Sequence, residues 1–331
     1  MIRPTLRAGT DADAETYIRL IGSAWAEHPG IVFDVDAELP ELRHLATHFA
    51  RLGGRLWLEA EGRGMIATRP MREDNAFEIC RLYVDKAARG TGLAQALLGA
   101  AEAHARAEGA ERLVLWTDTR FEAAHAFYEK AGYLRQGAIR ILDDLSKSLE
   151  FRYAKPARGL VVEALDAAAA ASAERRLAEI LIACVEEGAS VSFLKPLAKE
   201  RARAFWKKVS TEVAQNHALL LAAWLDGALV GTVQLHLDMP QNQPHRADVA
   251  KLLVDPAHRR KGVGEALMRR AEQAAHRLGR RLLVLDTLKG DSAERLYTRL
   301  GWNRVGEIPG FALDETGAAH ATVFFWKEPR L

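Results

Sequence analysis

The chain has 331 residues, with 46 Lys and Arg against 44 Asp and Glu, so two ordinary domains fit and no electrostatic case arises for nucleic acid as a bulk partner. Two cysteines, Cys80 and Cys184, exclude a disulfide framework, and no Cys/His cluster has zinc spacing, so no metal is expected. No run approaches the ~20 apolar residues of a membrane span, and Met1-Ile2-Arg3-Pro4-Thr5 lacks a signal peptide's apolar core, so the expectation is a reducing, cytoplasmic setting without a membrane partner.

In chain order, hydrophobic periodicity and turn residues predict a strand near Thr5–Ala8, then helices near Asp13–Glu27 and Leu39–Leu52. Strands follow at Arg55–Ala60, Gly64–Arg69 and Ala76–Val84. A glycine-rich loop opens a helix to about Glu108, with Gly109 as its C-cap. Next come a strand at Arg112–Thr117, a helix at Glu122–Lys130 and strands near Tyr133–Ile141 and Ser148–Ala154. Lys155-Pro156-Ala157-Arg158-Gly159 reads as a linker, dividing the chain into residues 1–156 and 157–331. The second half replays the order. Its strands are expected at Leu160–Glu163, Leu219–Leu225, Leu229–His236, Ala247–Val254 and Leu282–Asp286, with two more to close. Its helices are expected near Glu174–Glu186 and Ala198–Val213, from the second glycine loop to Leu278, and near Ser292–Leu300. The mixed order implies α/β domains, each a mostly antiparallel sheet with one parallel crossover and flanking helices.

The repeat is explicit in the residues. Glu78 to Gly109 aligns without a gap on Asp248 to Gly279, with 12 of 32 positions identical. Leu82-Tyr83-Val84-Asp85 leads into Arg89-Gly90-Thr91-Gly92-Leu93-Ala94, and Leu252-Leu253-Val254-Asp255 leads into Arg259-Arg260-Lys261-Gly262-Val263-Gly264. A strand that stops at such a turn and feeds a helix aims free main-chain N–H groups and the helix dipole at one spot, which favours an anion. Arg89 and Arg259 could add a bidentate phosphate contact.

With the later Ala124-His125-Ala126-Phe127-Tyr128 to Gly132-Tyr133, and Ala293-Glu294-Arg295-Leu296-Tyr297 to Gly301-Trp302, these motifs resemble the GNAT superfamily of N-acetyltransferases in both halves. The resemblance implies two tandem GNAT domains, each splayed at an acetyl-CoA site. It implies that both loops hold the pyrophosphate of that cosubstrate, and that Leu82–Val84 and Leu252–Val254 pair with its pantetheine arm. An asparagine frequent seven residues before the tyrosine is Phe121 in one half and Gly290 in the other. The second half, through Gly188-Ala189-Ser190-Val191-Ser192-Phe193, His245–Leu252, Leu285-Asp286-Thr287 and Ile308-Pro309-Gly310-Phe311, resembles the tabtoxin-resistance acetyltransferases, which act on a small amino-acid-like toxin.

Acetyl transfer to an amine requires loss of a proton, since an alkyl amine of pKa about 10.4 is protonated at neutral pH. By the family's register Glu78 and Asp248 stand where a carboxylate takes that proton, and Asp286 is a second candidate, its counterpart by offset being Thr117. Tyr128 and Tyr297 fit the family's general acid for the departing thiolate. Each has a plainer reading: an edge charge for the acids, a turn cap for Asp286, a core aromatic for the tyrosines. His236, His245 and Trp206 could line the second acceptor pocket, and Cys80 reads as a buried strand residue. The expected activity is direct transfer to a primary amine of a small molecule. Two alternatives are a non-catalytic first half and a protein acceptor; homodimerisation stays open.

Overall fold

The computed structural model describes residues 4–72 and 75–329, so the outer ends of both expected domains, 1–3 and 330–331, lie outside the described residues. The described residues form two compact units. One runs to residue 128 and includes 135–158; the other takes 129–134 and everything from 159.

The first half contains β1 (Leu6–Ala8), α1 (Ala14–Trp25), α2 (Val35–Glu38), α3 (Leu45–Arg51), β2 (Arg55–Glu59), β3 (Gly64–Pro70) and β4 (Ala76–Val84). It continues with α4 (Leu93–Ala107), β5 (Arg112–Asp118), α5 (Glu122–Lys130), β6 (Leu134–Arg135), β7 (Arg140–Ile141) and β8 (Leu149–Pro156). The sheet order is β1-β2-β3-β4-β5-β8-β6, with β7 beside β8. Strands β4 and β5 run parallel, joined by α4, whereas β1–β2, β2–β3, β3–β4 and β5–β8 are antiparallel. One face packs Leu56, Leu58, Met65 and Ala67 against Tyr17, Leu20 and Ile21 of α1 and Leu45 and Phe49 of α3.

The second half contains β9 (Leu160–Leu165), α6 (Ala167–Glu186), α7 (Lys199–Ala214), β10 (Ala218–Leu225), β11 (Ala228–His236) and β12 (Arg246–Val254). It ends with α8 (Val263–Arg277), β13 (Leu282–Leu288), α9 (Ser292–Arg299), β14 (Asn303–Leu313) and β15 (Ala319–Lys327). The order is β14-β15-β13-β12-β11-β10-β9, with β12–β13 the parallel pair. Alternation along the strands sorts the side chains into two layers. Leu220, Ala222, Trp224 and Leu253 pack toward α6 and α7, with Leu177, Leu181 and Trp206. Leu221, Val233, Leu235, Val249 and Leu285 pack toward α8, with Leu267, Met268 and Tyr297.

Both parallel pairs come apart. Strand β4 matches β5 from Ala76↔Arg112 to Ile79↔Leu115 and no further, though both strands continue. Strand β12 matches β13 from Arg246↔Leu282 to Asp248↔Val284. At the start of each splay the strand bulges. Arg81 and Leu82 stand opposite the single residue Ile66 between the pairs Met65↔Tyr83 and Ala67↔Cys80, and Lys251 and Leu252 stand opposite Val233. Arg81 and Lys251 both have φ of 53°, a left-handed conformation unusual for a side-chain-bearing residue.

Three sequence expectations change. The helix expected over 39–52 divides into a 3-10 turn at Pro40–His44 and α3. The 133–141 strand is two short pieces, β6 and β7. The 155–159 linker shrinks, because β8 runs to Pro156, Ala157 is buried, and Lys155 is a buried ion-pair partner of Glu102. Pro and Gly punctuation does not reveal that a lysine has a carboxylate waiting on α4.

Candidate functional site

Each splayed strand, β4 and β12, leads directly into a glycine loop. Asp85 and Asp255 follow the strands and are the N-cap residues of short 3-10 turns at Lys86–Ala88 and Pro256–His258, after which the loops begin. Gly92 (φ 92°) and Gly262 (φ 82°) are the N-cap residues of α4 and α8, and neither helix has a side-chain cap. The first N–H groups of each helix, from Leu93 and Ala94 in one and Val263 and Gly264 in the other, therefore have neither an intrahelical acceptor nor a capping side chain. Glycine suits the N-cap because it enters the left-handed region without a Cβ penalty. Two residues earlier, Gly90 (φ 77°) has the same conformation, and Arg260 (φ 60°) adopts it in the second loop despite its side chain.

The loop arginines do not point outward for a phosphate. Arg89 makes a two-pronged ion pair with Glu27 at 2.6 and 2.9 Å, and its Nε approaches the Val84 carbonyl at 3.4 Å. Arg259 repeats this with Glu187 at 2.8 Å and the Val254 carbonyl at 3.4 Å. Thr91 donates its hydroxyl to the Ala88 carbonyl at 2.7 Å. A cleft of ≈ 460 Å³ lies against the first loop, lined by Ser23, Glu27, Arg63, Asp85, Ala88 and Thr91. Because the splays begin beyond Ile79 and Asp248, the main-chain groups of Leu82, Tyr83, Val84 and of Leu252, Leu253, Val254 on the side of the parallel neighbour lie outside the sheet ladder.

The expected acids lie at the mouths of the splays in different states. Glu78, directly opposite Arg69 on β3, is buried and held by its guanidinium at 2.6 Å. Arg81 is likewise paired with Glu41 at 2.8 Å. In the second half His236 stands opposite Asp248, and among the described residues Asp248 is paired only with Arg246, at 3.4 Å, and its buried Oδ1 has no hydrogen-bond partner. Strand register puts Val284 beside Asp248 as Val114 is beside Glu78. The first-half counterpart of Asp286 is therefore Trp116, not Thr117, and Arg140 lies over its ring at 4.3 Å.

Asp286 stays exposed, yet the desolvation it does suffer raises its carboxyl above the ordinary aspartate value; the Lys251 ammonium pulls the other way and the like charge of Asp248 adds to the rise. Burial lowers the Lys251 ammonium, against the pull of Asp286. His236 stays exposed too, yet the desolvation it does suffer lowers it, which favours the neutral imidazole. Lys251 was not singled out by sequence reasoning. The signal was present as a cation at the same offset in two otherwise apolar strand ends, Arg81 and Lys251.

Tyr128 and Tyr297 are buried, and burial raises both phenols, so they keep their protons at neutral pH. Tyr297 packs beside Phe325 and Trp302, in the layer toward α8. Asp248 and Asp286 share strand parity with Ala250 and Val284 and face the α6–α7 layer instead. The second splay thus has acids on one face and a phenol on the other. His245 accepts main-chain hydrogen bonds from Arg281 and Leu282 through its carbonyl, which gives it a structural part in the β12–β13 crossover.

The acetyltransferase (GNAT) family matches at residues 21–133 and 186–302. Over 75 residues the chain is 37% identical to N-acetylaspartate synthetase of Rattus norvegicus, covering 23% of this chain and 25% of that protein, and the Homo sapiens protein of that name gives the same figures. The match thus spans about a quarter of those relatives. Among solved structures, an N-acetyltransferase from Staphylococcus aureus Mu50 aligns at 16% identity over 52% of this chain and 99% of that one, with a TM-score of 0.44. A candidate acetyltransferase from Salmonella typhimurium, solved with its cofactor acetyl-CoA, aligns at 18% identity over 52% and 95%, with a TM-score of 0.43. Among the described residues no helix is long and apolar enough to cross a membrane. With a family match in each half, together covering well over half of the chain, the chain belongs to the acetyltransferase (GNAT) family.

Proposed function

We propose that the second half transfers acetyl from acetyl-CoA to a primary amine of a small molecule, by direct attack of the amine on the thioester. The observation that carries this reading is the uncapped start of α8 at Gly262, set behind a strand that leaves its parallel neighbour at Asp248. A diphosphate would be held by the main-chain N–H groups of Lys261, Gly262, Val263 and Gly264, with Arg260 and Arg259 beside it. The pantetheine amides would pair with Leu252–Val254. Asp286, assisted by Asp248, takes the amine proton from the α6–α7 side. Tyr297 gives a proton to the thiolate from the other side, so the two transfers do not compete for one position. The amino-acid-like acceptor of the tabtoxin-resistance enzymes remains our guide to acceptor size.

A second reading applies to the first half, taken as residues 1–156 against 157–331. The same loop and strand (Leu82–Val84, Arg89–Ala94) support acetyl-CoA binding there. The clamp of Arg69 on Glu78 and of Glu41 on Arg81 favours a half that binds without turnover, since both charges that would meet an acceptor are already paired. Tyr128 is then a retained core phenol.

The test uses the full chain. Titration calorimetry with CoA is expected to give two sites, and an amine library with free-thiol detection is expected to give turnover that Asp286→Asn abolishes and Glu78→Gln leaves intact. A single site, or turnover lost with Glu78→Gln alone, overturns the corresponding half of the proposal.

A further inference from the structure

The α6–α7 face of the second splay holds polar groups that the acetyl-transfer chemistry does not use. Gln234 and Trp206 are each 1% exposed, and among the described residues Gln234 Nε2 and Trp206 Nε1 have no hydrogen-bond partner. An orphaned buried N–H is costly, because it gives up its hydrogen bond to water without a replacement, and native proteins rarely carry two in one layer without a use. Both belong to the same layer. Gln234 stands beside Leu220 and Ala250 in register, and Leu220 packs in the cluster that contains Trp206. The bulge turns Lys251 to that side as well: its Nζ meets Ser192 Oγ at 3.2 Å and lies over the Phe205 ring at 5.8 Å, and it makes no ion pair among the described residues. Asp248 Oδ1, also buried and unpartnered, and Asp286 lie on the same face.

Resting on acetyl transfer by this half, we propose that its acceptor carries a carboxylate as well as the amine, the carboxylate taken by Lys251 with the N–H groups of Gln234 and Trp206, the amine by Asp248 and Asp286. The charges divide accordingly. One unpaired ammonium with two spare donors suits an anion, and two acids suit a cation, so this face complements an amino acid held across it. His236 favours the neutral imidazole, and Arg246 sits at the acid end, with its Nη2 3.4 Å from Asp248 and its Nε buried without a partner among the described residues. In the first half the positions of Gln234 and Lys251 are taken by Ala67 and Arg81, the latter already paired with Glu41. That half lacks the anion site.

The experiment compares amino acids with their carboxamides and decarboxylated amines as acceptors for the full chain. The acids are expected to win in kcat/KM by roughly 10- to 100-fold, the range of one charge-assisted anchor. Lys251→Met should erase that preference through KM, Lys251→Arg should keep most of it, and Trp206→Phe should reduce it. Carboxamides used as well as acids, or Lys251→Met slowing both alike, would overturn the carboxylate while leaving acetyl transfer standing. No transfer to any amine would instead overturn the transfer reading. In that case tryptophan-fluorescence titration with N-acetylated amino acids and their amides decides the anion site: equal binding of acid and amide rejects it, and acid-selective binding lost in Lys251→Met upholds it.

Discussion

Lys155 Nζ lies 2.8 Å from Glu102 Oε1, with the two side chains only 4% and 10% exposed, and the contact ties the last strand of the first half to the helix that starts at its glycine loop. The second half repeats it: Lys327 meets Glu272 at 2.7 Å, joining β15 to α8. Arg106 also holds Glu102, at 2.8 Å, so the two partners are unequal. Glu102→Leu strips Lys155 of its ion pair in a dry site and is expected to cost about 3–5 kcal/mol. Lys155→Met leaves Glu102 with Arg106 and should cost less. Urea unfolding of the full chain, read at the transition of the first unit, checks the order, and equal losses would refute it.

This pair marks where sequence reading stopped. Element order, both loops and the bounds of β4 and α5 were legible because apolar runs end at Val-Asp and glycines mark the turns. The break before α3 was not, because its start is capped from afar. Asp11 accepts from the Thr47 main chain at 3.0 Å and its hydroxyl at 2.6 Å across 36 positions of sequence. The bulges were hidden for a similar reason: left-handed Arg81 and Lys251 have no residue preference to betray them, and are imposed by strand pairing. The counterpart of Asp286 depended on register across β12–β13, which a one-residue change of offset in the repeat misplaces. The candidate acids themselves were found, but whether each was paired was not.

Gly92→Ala and Gly262→Ala separate strain from crowding. A Cβ at Gly92 meets nothing within 4 Å, and one at Gly262 meets only Leu160 Cδ2 at 3.9 Å. The cost is therefore the left-handed φ, about 1–2 kcal/mol, plus obstruction of a bound phosphate. Each change should weaken CoA by roughly tenfold or more in one half only, seen calorimetrically as loss of one site of two. Gly99→Ala, inside α4 with open space around it, is the control and should stabilise the chain by about 0.5–1 kcal/mol without altering affinity.

The pH dependence follows from the sign of the Asp286 shift. The base works as a carboxylate, and its carboxyl titrates above the ordinary aspartate value, so the acid limb of kcat should fall above that value too. Asp248→Asn removes a like charge and should move the limb to lower pH, whereas Lys251→Met removes an opposing cation and should move it higher. The raised carboxyl also has a stability consequence. The folded state binds the proton more tightly than the unfolded one, so stability is lost as pH rises through the folded value. Asp286→Asn is therefore expected to abolish turnover while raising the thermal midpoint at neutral pH. Stopped-flow pH profiles and thermal melts of the same variants read both effects, and an unmoved acid limb in both charge variants would remove Asp286 as the base.

Tyr297→Phe isolates the second proton. The ring packs 5.9 Å from Phe325 and 6.1 Å from Trp302, contacts that phenylalanine keeps, so stability should change little. Burial holds the phenol protonated well above neutral pH, which fits a donor and excludes a base. General acid catalysis of this kind contributes about 10²-fold or more, but water can protonate a thiolate, so turnover should fall without vanishing. The deciding measurement replaces the donor with a thioester of a more acidic thiol, whose departure needs no proton. If Tyr297 supplies that proton, wild type and Tyr297→Phe converge on the acidic donor and diverge on the ordinary one. A constant ratio on both donors would leave the tyrosine a packing residue of the α8 layer, and Tyr128→Phe should show such a constant ratio in any case.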